Sequence, residues 1–202
     1  SELGTRPMKI QSQTFERLVL GQLFETTGPR EGQDLLDHYI AVIEGKTGSL
    51  IAAAGEYGSL LSGASEDVIS MVKAYGELVG VAFQLADDVI DIVSDGKTSG
   101  KTRGTDLREG VPTLPTILLD RAVAAGDESA IAVRALLDAD LSSDEALETA
   151  VEALAAHPVT QEAWQIAYDW ADRAIAAIAP LPESTAKAAL ESFAHAVVHR
   201  EG

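Results

Sequence analysis

In the segment Phe83-Gln84-Leu85-Ala86-Asp87-Asp88-Val89-Ile90-Asp91, Asp87 and Asp91 stand four residues apart, and Gln84 precedes Asp87 by three. On a helix these three side chains share one face, about 6 Å from turn to turn, and the two carboxylates repel each other. A solvated acidic patch or a helix end is the plainer explanation of a lone Asp-Asp-x-x-Asp, since short motifs match by chance. Here apolar residues flank the cluster on both sides, which predicts a buried helix, and buried acids are costly unless something positive offsets them. Mg2+ suits the pattern: it accepts a few carboxylate oxygens, keeps several waters and gives its remaining positions to phosphate oxygens.

Two lysines stand where they can serve a phosphorylated ligand held by such a cation. Lys46 and Thr47 sit in Glu44-Gly45-Lys46-Thr47-Gly48, and Lys101 follows Asp91 by ten residues in a polar, glycine-rich stretch. Each lysine alone reads as a surface residue. Two glycines inside a helical pattern cost about 1 kcal/mol each relative to Ala, so the backbone at 45–48 is expected to kink or to approach another backbone closely.

The elements that position these groups follow from helical periodicity. Ile10, Phe15, Leu18, Val19 and Phe24 predict a first helix, ended by Thr27-Gly28-Pro29. A second runs from about 33 to 61, with the glycine-marked interruption inside it. A third, about 66–93, is apolar on most sides and is expected at the centre of a bundle. The stretch 94–106 is read as a mobile loop without a regular element. Helices near 112–125, 128–138, 143–156, 160–179 and 184–200 follow, with Ser143 and Ser184 as N-caps. His195 and His199 read as residues of a helix end rather than metal ligands, and Trp164, Tyr168 and Trp170 as packing residues.

Composition narrows the partners. The formal charge is −17, from 32 acidic against 15 basic side chains, so nucleic acid and anionic membrane surfaces are excluded as general partners. An anionic substrate requires metal ions or placed lysines to reverse the sign locally. The chain has no cysteine, hence no disulfide and no thiolate metal site. No uninterrupted apolar run reaches the ~20 residues of a membrane span and no signal-peptide pattern is present, so a cytoplasmic location is expected. Ser1-Glu2-Leu3-Gly4, without an initiator Met, reads as an interhelical loop and a truncated start.

Together these segments resemble the trans-isoprenyl diphosphate synthases, or polyprenyl synthetases. Residues 83–91 resemble that family's second aspartate-rich motif, and 39–50 its Lys-Thr helix. Residues 100–115 are similar to the flexible loop and following helix of medium- and long-chain members, and Gly21-Gln22 with Glu25 to the preceding helix. The resemblance implies an all-α, isoprenoid-synthase-type bundle of antiparallel helices around a central cavity, usually in a homodimer. It makes 1–202 the C-terminal part of a single polyprenyl synthetase domain. It further implies that Asp87, Asp88 and Asp91 hold Mg2+ on an allylic prenyl diphosphate, that Lys46 and Lys101 neutralise the same diphosphate, and that Thr47 and Gln84 face the allylic carbon. Phe83 and Asp106 join the substrate-binding set. Isopentenyl diphosphate is the implied second substrate, attacking the allylic cation left when diphosphate departs.

The pattern is incomplete. The family's first aspartate-rich motif and the basic residues that hold isopentenyl diphosphate have no counterpart; Asp34 and Asp37 lack the spacing. Val111 stands where some short-chain members carry a lysine. The chain by itself is therefore expected to have little or no activity, its complement being an N-terminal half or a second chain. Two rival readings are a noncatalytic regulatory subunit and a class I terpene cyclase. The gathered aspartates argue against the first, and Lys46-Thr47 together with the Gly100-Lys101 loop and only ten aromatic residues argues against the second.

Overall fold

The computed structural model describes residues 4–94 and 103–200, and among these every regular element is helical. They are α1 (Arg6–Thr27), α2 (Leu35–Ile43), α3 (Ser49–Leu61), α4 (Glu66–Val93), α5 (Thr105–Glu109), α6 (Leu114–Ala124), α7 (Glu128–Leu137), α8 (Asp144–Ala156), α9 (Pro158–Ile178) and α10 (Thr185–Val198). A five-residue π-helical turn, Glu44–Gly48, joins α2 to α3 without a break. It is the expected interruption at the two glycines.

Local chemistry explains the ends. Pro7 lies in the first turn of α1, where its missing N–H costs nothing, and Gly28 closes that helix with φ of 72°. Asp34, Asp127 and Ser143 cap α2, α7 and α8 by accepting backbone N–H groups, and the Ser184 hydroxyl accepts from Lys187 N at the head of α10. Thr113 and Thr116 form a capping box on α6.

The chain divides into two compact units, Ser1–Gln84 with Tyr168–Val198, and Leu85–Ala167 with His199–Gly202. In the first, α1 packs on the π turn and on α3, and the Tyr75 hydroxyl donates to the Leu190 carbonyl at 2.7 Å, tying α4 to α10. Buried Lys187 donates to the carbonyls of Ala179 and Leu181 and to Glu183, fastening the turn between α9 and α10. In the second, α6, α7 and α8 pack in sequence, and α5 is pinned to α8 by Arg103–Glu148 at 2.9 Å and Arg108–Asp144 at 2.6 Å. Gly104 permits this docking: its φ is 72°, and a Cβ there would run into the Val151 side chain.

One expectation is corrected. The polar stretch 94–106 ends in a short helix, because α5 begins at Thr105; residues 95–102, Lys101 included, lie outside the described residues. Of the apolar positions that predict α1, Ile10 is buried, but Phe15 is 65% and Val19 48% exposed. Without containing an uninterrupted apolar run, α4 is long and apolar enough to cross a membrane by length and composition. Its positions Val79, Val81, Ala82, Leu85, Ala86 and Val89 have no exposed surface, as in the core helix of a globular protein.

Candidate active site

The Lys-Thr turn is held by contact of backbone on backbone. A Cβ on Gly45 would lie 3.0 Å from Gly21 Cα on α1, and a Cβ on Gly80 would lie 2.7 Å from Gly48 Cα. The turn is thus wedged between α1 and α4 at two glycine pairs. The wide turn is defined by the Ser49 N–H, which donates to the Glu44 carbonyl five residues back. The Ser49 hydroxyl donates to the Gly45 carbonyl at 2.5 Å, taking up a second one.

From this turn, Thr47 Oγ1 donates to Gln84 Oε1 at 3.3 Å. The structure therefore brings together two residues that lie 37 apart in the chain. Lys46 Nζ lies 2.6 Å from Glu25 Oε2 on α1, and Gln22 holds the same carboxylate at 2.7 Å. The lysine is paired within the chain and only half-buried.

Past Gln84, α4 enters the second unit, where the aspartates separate by environment. Asp87 is 55% exposed and lies 3.3 Å from an Arg200 guanidinium nitrogen. Asp91 is half-buried, and its Oδ2 accepts from Asp106 N at 3.5 Å while its carbonyl accepts from Gly104 N at 2.9 Å. Burial, and then the Asp106 carboxylate, push the Asp91 carboxyl above its ordinary range. Backbone N–H groups of Asp106 and Thr105 pull it part of the way back, and Asp87 adds to the rise.

Asp88, which the family resemblance groups with Asp87 and Asp91, lies in a different environment. It points about 100° round the helix from Asp87. There it is 5% exposed and its Oδ2 accepts from Leu114 N at 2.9 Å, capping the buried start of α6. Among the described residues, no group of three or more His, Cys, Asp or Glu side chains converges on a metal ion. A Mg2+ ion that takes two carboxylates and completes its shell with water and phosphate still fits Asp87 and Asp91. Their mutual repulsion, with Asp106 facing Asp91, is what a cation would relieve.

Sequence reasoning missed Arg17, Glu25 as the partner of Lys46, and Arg200 as the partner of Asp87. These contacts span 21 to 113 residues and leave no local signal. Trp170 is half-buried, and the Arg173 guanidinium stacks 3.9 Å from its ring centre, so it packs by a cation–π contact.

An all-α chain with an Asp-Asp-x-x-Asp helix and a glycine-wedged Lys-Thr turn defines the isoprenoid-synthase class of helical proteins. The sequence profile of polyprenyl synthetases matches residues 2–154, and the chain belongs to that family. It is 38% identical over 202 residues to the nonaprenyl diphosphate synthase of Mycobacterium tuberculosis, covering 100% of this chain and 59% of that protein. Against the octaprenyl diphosphate synthase of Escherichia coli K12 it is 31% identical, covering 100% of this chain and 62% of the relative. Among solved structures, the geranylgeranyl pyrophosphate synthase of Corynebacterium glutamicum, complexed with calcium and isoprenyl diphosphate, superposes with a TM-score of 0.87 at 40% identity. That match covers 100% of this chain and 62% of that one. The chain thus spans about three fifths of the length of these relatives.

Proposed function

We propose that this chain carries the allylic-diphosphate side of a prenyltransferase that condenses isopentenyl diphosphate with an allylic prenyl diphosphate, extending a trans-polyprenyl diphosphate. The observation that carries the reading is the pair Asp87 and Asp91, one turn apart on α4, with Asp106 set against Asp91 in a half-buried site. Bound Mg2+ would supply the positive charge that stabilises departing diphosphate. Asp87 and Asp91 would hold the cation, while Lys46 would exchange Glu25 for the diphosphate and Lys101 would act as a second ammonium. Thr47 and Gln84 turn oxygen atoms toward the developing allylic cation, and Phe83 and Asp106 complete the substrate-binding set. Asp88 supports α6 behind this face.

The relatives are longer than this chain, and an N-terminal half or a second chain is the proposed source of the isopentenyl diphosphate site. An apolar groove of about 760 Å³ is lined by Met8, Phe15, Leu18, Leu50, Ala54 and Tyr57. A cytoplasmic homodimer is the proposed setting.

The test supplies the gene product that carries this chain with Mg2+, farnesyl diphosphate and labelled isopentenyl diphosphate, and reads products by mass. Elongated prenyl diphosphates are expected. Asp87→Ala and Asp91→Ala each lower turnover by about 10² or more; near-normal rates in both would end the assignment.

A further inference from the structure

We propose that Arg17 is a positioning residue for the Lys46-Thr47 turn, acting through an ion pair with Glu77 that clasps α1 to α4 across the π turn. The inference rests on the prenyltransferase reading only for its catalytic consequence. Arg17 lies one turn before Gly21 on α1, and Glu77 lies three residues before Gly80 on α4. These are the glycines whose backbones meet Gly45 and Gly48. The Arg17–Glu77 pair therefore stands beside the wedge, at the end where the turn begins.

The guanidinium makes two contacts at once. One nitrogen pairs with the Glu77 carboxylate, and the other donates to the Glu44 carbonyl at 3.4 Å. That carbonyl is the oxygen that already accepts the five-residue bond from Ser49 N–H. Arg17 thus reaches the backbone atom that distinguishes a wide turn from an ordinary α-helical one. A planar fork can serve a carboxylate and a carbonyl together, whereas a lysine offers one point charge. The Glu44 side chain adds a reason for a cation here. Its carboxyl is raised by burial and then by Glu77, and Arg17 and Arg173 act in the opposite sense.

A helix-to-helix ion pair that served only to hold the bundle would tell a different story. The Arg17 and Glu77 side chains are 39% and 36% exposed, and pairs of that kind contribute little to stability. Removing the pair should accordingly shift Tm by no more than ~4 °C. The geometry of the turn should suffer instead, because displacements near 1 Å can cost up to ~10² in rate.

The test uses the gene product that carries this chain, with Arg17→Ala, Arg17→Lys and the exchange Arg17→Glu/Glu77→Arg. Hydrogen–deuterium exchange is followed on peptides covering 44–49, and kcat and KM for the allylic substrate are measured in parallel. In Arg17→Ala, exchange of 44–49 should rise by about tenfold or more, with the rest of α1 and α4 unchanged, and kcat should fall by about tenfold or more per folded molecule. Arg17→Lys should recover part of the loss, and the charge exchange, which rebuilds the ion pair without the donor to Glu44, should recover little. Unaltered exchange at 44–49 in Arg17→Ala overturns the clasp, and so does full recovery by the charge exchange. A wild-type protein that turns over no prenyl substrate defeats the prenyltransferase reading instead, and the exchange data still decide whether the clasp exists.

Discussion

Replacing Gly80 with alanine tests the wedge directly. The added Cβ would sit 2.7 Å from Gly48 Cα, 3.2 Å from Gly48 N and 3.4 Å from Thr47 C. All three are backbone atoms, so no side-chain rotation relieves the clash. To restore an ordinary contact of 3.4 Å the turn must retreat by about 0.7 Å. The Thr47–Gln84 bond, already 3.3 Å long, is then stretched past the hydrogen-bonding limit. Overpacking of this kind costs ~1–3 kcal/mol, from which the better helix propensity of alanine returns up to ~1 kcal/mol. A net loss of about 1–2 kcal/mol lowers Tm by about 2–8 °C in a protein of this size. Turnover should fall further than stability does, by up to about 10² at saturating substrate. Gly58 on α3 is the matched control, since a Cβ there meets nothing within 4 Å. Gly58→Ala should gain up to ~1 kcal/mol and keep its activity. Thermal melts and initial rates on both variants decide the matter: wild-type Tm and turnover in Gly80→Ala, or an equal loss in Gly58→Ala, refute the argument.

Asp88→Ala strips the buried Leu114 N–H of its acceptor and should cost about 1–2 kcal/mol in urea unfolding, with Asp88→Asn losing less because an amide oxygen remains; equal midpoints for Asp88→Ala and wild type would count against the cap. Glu44→Gln reports on the raised carboxyl in the π turn. A folded-state value above the unfolded one gives stability that is present below pH 4.5 and lost as pH rises through the folded value. Glu44→Gln should therefore melt higher than wild type at pH 7, with the gap closing toward pH 4, and a gap that is constant with pH would show that the charge is not the cause.

The helices were legible because apolar spacing and end signals are local. Ser143 and Ser184 cap where a hydroxyl before a periodic run should, and the glycines at 45 and 48 marked the one π-helical turn among the described residues. The short helix α5 was hidden, because its five residues form only by docking on α8 through Arg103, Gly104 and Arg108. The site was legible as an inventory and less so as an arrangement. Asp87, Asp88 and Asp91 look equivalent in a string of letters. The partner that separates Asp88 from the others is a backbone N–H 26 residues away. In the same way, nothing near Lys46 in the chain marks Glu25, 21 residues earlier, as its partner. The exposure of Phe15 and Val19 on α1 was not legible for a related reason, since periodicity shows that a face is apolar without showing what lies opposite.

Where helices meet through side chains, a protein can absorb a bulky replacement by trimming the residue across the gap. Gly21 against Gly45 and Gly48 against Gly80 leave no such freedom, because both members of each pair are already the smallest residue there is. A side chain at Gly80 forces the facing turn to move, and one at Gly21, Gly45 or Gly48 presses on backbone that must yield by a few tenths of an ångström. In descendants of this sequence, Gly80 should vary only together with a rebuilt turn.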